Sequence, residues 1–94
     1  MLGMDVHEVL RLCSAVREAL PVLGADPRSA GQLVAYAADA ERACRSDPAA
    51  TRTALAAVKQ IRYLLIEGAD GPIAAILADS AASIVGDDIG KLFS

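Results

Sequence analysis

Few side chains in this chain could do chemistry. His7 is the sole histidine, and Cys13 and Cys44 are the only thiols. A Cys–His pair works as nucleophile and base only when the two groups are within hydrogen-bond reach. Six residues separate His7 from Cys13, and positions six apart on a helix do not face each other. Cys44 could approach His7 only through the fold, so His7 reads as an ordinary first-turn residue. A metal centre takes three or four ligands, and no group of Cys, His and carboxylate has that spacing here. The two cysteines fall on apolar helix faces and read as buried, reduced thiols rather than as a disulfide.

Gly68-Ala69-Asp70-Gly71 precedes a helix start, where an anion could sit. A phosphate loop, however, continues with Lys and Ser or Thr. Pro72 and Ile73 follow instead, and Glu67 and Asp70 repel an anion. This is a helix–helix connection. The expectation is a protein with no catalytic set, no cofactor and no metal, hence not an enzyme.

Charge is more informative. The net charge is −3 and the isoelectric point about 4.9, but the distribution is uneven. Residues 1–41 carry −3 and residues 67–94 carry −4. Residues 42–66 set Arg42, Arg45, Arg52, Lys59 and Arg62 against Asp47 alone. Arg52, Lys59 and Arg62 are seven and ten residues apart, which places them on one side of a helix. Such a stripe is a solvated face or a docking surface for an acidic partner, including the acidic end of a second copy. A further alternative is a DNA-binding regulator using helix 48–67. Helix, turn at Asp47 and helix would form a helix-turn-helix, with Thr51, Arg52 and Thr53 opening the recognition helix. The acidic balance and the absence of aromatic residues beside the arginines argue against nucleic acid.

The positioning elements follow from periodicity and punctuation. Of the 94 residues, 54% are hydrophobic and only 3% aromatic, so the apolar content is Ala, Leu, Val and Ile. One domain spans residues 1–94, since a chain of this length builds a single modest core. A first helix, about 6–20, is capped by Asp5, carries Val6, Val9, Leu10, Cys13, Val16 and Leu20 inward, and ends at Pro21 and Gly24. Asp26-Pro27 and Asp47-Pro48 each place a capping Asp before a Pro at the first helical position. They open helices at about 27–45 and 48–67. The second turns Ala30, Leu33, Val34, Ala37, Ala40 and Cys44 inward; the third turns Leu55, Val58, Ile61 and Leu65 inward. Ile61–Ile66 alone is also compatible with a strand, but it continues the helical pattern before it.

The fourth helix, about 72–86, lies in GPIAAILADSAASIVG, whose one charge is Asp79. Such a segment must be buried, inside this domain or against another chain. Ile73, Ile76, Leu77, Ser80 and Ile84 form its main stripe, with alanines smoothing the other sides. Asp79 marks a wet edge or meets an Arg such as Arg62. Asp87 and Asp88 would cap a short final turn at 88–93. The expected architecture is all-α, a small four-helix up-down bundle with a short C-terminal helical turn.

No membrane span is expected, because Arg62, Glu67, Asp70 and Asp79 interrupt the most apolar region. The start lacks a signal-peptide pattern, which places the chain in the cytoplasm. The functional expectation is a protein–protein interaction or assembly module that binds itself as a homo-oligomer, or binds another protein. Its contact surface would involve Arg52, Lys59, Arg62, Ile76, Ala78, Asp79 and Ala82.

Overall fold

The computed structural model describes residues 6–46 and 51–93, with side chains described for 6–45 and 52–86. Four helices follow in order: α1 (Val6–Ala19), α2 (Pro27–Ser46), α3 (Thr51–Glu67) and α4 (Pro72–Phe93). A single 3₁₀ turn, Leu20–Val22, extends α1. No strand occurs among the described residues, and Ile61–Ile66 is helical. Each helix packs on the next, and α4 returns against α1 to close the ring. Asp5 and the Asp47-Pro48 start lie outside the described residues.

Two connections are stitched together at one end of the bundle. Pro21 opens the 3₁₀ turn, and Gly24 reverses the chain at φ +65°, a conformation that costs a side chain dearly. The Asp26 carboxylate then accepts from the Ser29 N–H at 2.7 Å, satisfying a free donor of α2. That hydrogen bond holds the Asp26 carboxyl below its usual range. Across the end, the Asp70 N–H donates to the Leu23 carbonyl at 2.7 Å. Ser29 lies so close to Gly68 that a Cβ there would meet the Ser29 Cβ at 2.9 Å. Gly68 is therefore needed for the approach of α2 to the end of α3.

The core forms a continuous cluster that includes Val9, Leu12, Cys13 and Val16 of α1, Leu33, Ala37 and Ala40 of α2, and Val58, Ile61 and Leu65 of α3. Every inward residue expected of α3 is buried, with Ala54, Ala57 and Leu64 beside them. On α1 the inward face is rotated. Leu12 is buried, while Val6 is exposed and Leu10 and Leu20 are half-buried. On α2, Val34 is exposed, and Ala30 and Cys44 are half-buried. The reason is common to both helices. A ring of four helices covers each member from two sides, so the buried arc is centred between two neighbours rather than on the largest side chains.

α4 departs most from the expectation. Its buried residues are Ala74, Leu77, Ala78, Ala81 and Ile84, whereas Ile73 and Ile76 are 40% and 59% exposed. Ser80, expected inside, is exposed, and its hydroxyl donates to the Ile76 carbonyl at 3.2 Å. The alanine row faces the bundle because small side chains let α4 approach its neighbours closely. The expected stop at Gly86 and the separate turn at 88–93 are also corrected. One helix runs through Gly86 to Phe93. Gly86 does not take the positive φ that a C-terminal glycine stop requires.

Candidate functional site

The residues with chemical potential are dispersed. His7 is exposed on the first turn of α1, while Cys13 is fully buried on the inner face of the same helix. Burial, with the Glu41 carboxylate adding to it and Arg17 opposing, pushes the Cys13 thiol up to about 11. The group is thus a protonated core thiol and not an activated nucleophile. Cys44 is half-buried, its thiol also raised, chiefly by burial. Both cysteines are free. No group of three or more metal-ligating side chains occurs among the described residues. None of their buried side-chain polar atoms lacks a hydrogen-bond partner.

The stripe expected on α3 is present. Arg52, Lys59 and Arg62 are exposed, with Tyr63 and Ile66 between and beyond them. The helical phase of α3 turns Lys59, Arg62 and Ile66 toward the α4 side. On the adjoining flank of α4 lie Ala75, Asp79 and the half-buried Ala82. Asp79 is therefore a wet edge, and it forms no ion pair among the described residues. Ala78 does not belong to this surface. It is 7% exposed and packs into the core, because its position on α4 faces the helices on either side.

Ile76 falls on a different surface. Together with Ile73 it lies on the α1 side of α4. Along this seam a groove of about 370 Å³ is lined by Glu8, Arg11, Leu12 and Ala15 of α1 and by Leu77, Ser80, Ser83 and Ile84 of α4. Leu12, Ala15, Leu77 and Ile84 are its apolar lining, and Glu8, Arg11, Ser80 and Ser83 its polar lining. Ile73 and Ile76 lie on the same side of α4 as Ser80 and Ser83, further toward its start. Sequence reasoning missed the groove because it put Ile73 and Ile76 on one stripe with Leu77 and Ile84, and left open whether that stripe faced the core or another chain. The signal that could have found it is the alanine set itself, since a face of small residues packs closest.

The turn of the helix-turn-helix outline, residues 47–50, lies outside the described residues. Tyr36, Asp39 and Ala43 of α2 lie beside Gln60, Ala56 and Thr53 of α3 along one shallow depression. The two helices pack directly on each other. No helix among the described residues is long and apolar enough to cross a membrane. No protein-family model, curated protein or solved structure matches this chain.

Proposed function

We propose that this protein is a non-enzymatic helical assembly module that binds a second copy of itself through the α1–α4 seam. The observation that carries the reading is the exposure of Ile73 and Ile76, which the helical period puts on the same side of α4 as Ser80 and Ser83 of the groove. An exposed apolar strip with a polar rim marks a contact surface. A second copy suits it because the rim is self-complementary. Glu8 and Arg11 stand one turn apart on α1, so a two-fold arrangement brings each Glu8 toward the other copy's Arg11.

Size-exclusion chromatography with light scattering tests this at low and high salt. The unaltered chain elutes as a dimer, and Ile76→Glu elutes as a monomer with unchanged helicity, its Tm lower only by the concentration-dependent part that association supplied. A monomeric unaltered chain, or a dimer indifferent to Ile76→Glu, overturns the proposal. The exposed Arg52, Lys59 and Arg62 support a second reading, a DNA-binding regulator acting through α3. That reading requires low-salt retardation of duplex DNA that Arg52→Ala plus Arg62→Ala abolishes, and the net charge of −3 weighs against it.

A further inference from the structure

The α1–α2 seam holds the only two thiols of the chain on neighbouring rungs. Its register is set by the Arg17–Glu41 ion pair, which joins the two helices across their antiparallel contact. One turn toward the start of α1 from Arg17 is Cys13, and three residues beyond Glu41 on α2 is Cys44. In an antiparallel pair those steps run in the same direction along the seam, so the two cysteines occupy the rung next to the ion pair. Cys13 is fully buried and belongs to the core cluster. Cys44 is half-buried and packs against that cluster. Arg17, Glu41 and Cys44 all act electrostatically on the Cys13 thiol, in keeping with this register.

We propose that Cys13 and Cys44 are a cross-helix thiol pair that a low-molecular-weight disulfide converts, entering at Cys44, into an intramolecular α1–α2 disulfide. The asymmetry in burial sets the order of events. Cys44 is the thiol that a reagent reaches from solvent. Its thiolate attacks one sulfur of glutathione disulfide, forms a mixed disulfide and expels one glutathione thiolate. The Cys13 sulfur then gives up its proton, attacks the Cys44 Sγ and expels the second glutathione thiolate. The two cysteine protons end on the two glutathiones. Two cysteines are oxidised by two electrons and one disulfide is reduced to two thiols. The Cys13 thiol is mostly protonated, which slows the second step, and its place beside Cys44 offsets this with a high effective concentration.

The experiment incubates the full chain with glutathione disulfide and reads intact mass, a non-reducing tryptic map and Tm. The expected product is a monomer lighter by two hydrogens. Its map joins the peptide 12–17 to the peptide 43–45. Its Tm is roughly 10 °C above that of the reduced chain, because the cross-link restrains the unfolded state. Cys13→Ala accumulates a glutathione adduct at Cys44, and Cys44→Ser stays unmodified while folded. If the unaltered chain stops at the Cys44 adduct, links two chains through Cys44 or does not react, the proposal is overturned. A reaction in denaturant confirms that the reagent is competent.

Discussion

The two long faces of α4 invert the usual relation between size and burial. The face toward the bundle carries Ala74, Ala78 and Ala81, with Ala81 fully buried. The face toward the α1 groove carries Ile73 and Ile76, with the larger side chains in water. Hydrophobicity alone favours the opposite rotation, since burying an isoleucine contributes about 2–3 kcal/mol more than leaving it exposed. The alanine face wins because close helix approach aligns Leu77 and Ile84 with the cores of α1 and α3. Rotating Ile73 and Ile76 inward would push α4 away from both neighbours, and overpacking costs about 1–3 kcal/mol per site. The difference teaches that a face of small residues is a packing surface, and that displaced large ones mark the place where packing continues elsewhere.

The sharpest way to break this comparison is a charge on the inner face. Ala78→Glu buries an unpaired carboxylate and is expected to cost about 4 kcal/mol. Urea denaturation should show the loss independently of protein concentration, while the same residue placed at Ile76 costs only the concentration-dependent stabilisation that association supplies. Equal costs at both positions would mean that the two faces are not different environments.

The next test asks how dry the interior is that the alanine face helps to close. The Cys13 thiol ionises near 9 in an unfolded chain and near 11 in the fold. Between those values the unfolded state has released a proton that the folded state keeps, so stability falls as pH rises. The loss is absent below pH 9 and approaches roughly 2–3 kcal/mol by pH 11. Chemical denaturation across this range measures it, and Cys13→Ala should remove this component of the pH dependence.

The smallest effect concerns Gly86, on the exposed side of α4. It sits inside the helix without a positive φ, and a Cβ there meets nothing within 4 Å. Gly86→Ala should stabilise the chain by about 0.5–1 kcal/mol, because the unfolded state loses freedom. A rise of several degrees in Tm checks it. A fall would show that the end of α4 is more crowded than its open flank indicates.

Much of the fold was legible. The start of α2 was read from a capping Asp before Pro27 and that of α4 from Gly71-Pro72, and these helices begin at Pro27 and Pro72. The four inward residues expected of α3 are all buried, because there the largest side chains also lie at the centre of the buried arc. The candidate surface was less legible. Arg52, Lys59, Arg62 and Asp79 are exposed as expected, since charges seek water wherever the helix turns. Of the α4 residues expected on the contact surface, Ile76 is exposed and Ala78 is buried, because alanine is compatible with either side and its placement is decided by the neighbours.

The sequence by itself determined the helices, their order and the location of the charges. These depend on local chemistry: caps, proline and glycine, and the 3.6-residue period. Tertiary structure alone decided the rotation of each helix about its axis, and with it the groove between α1 and α4. It also decided the meeting of Cys13 with Cys44 and the close approach of Ser29 to Gly68. Those outcomes depend on how closely pairs of helices can pack, and that distance is a property of two surfaces at once.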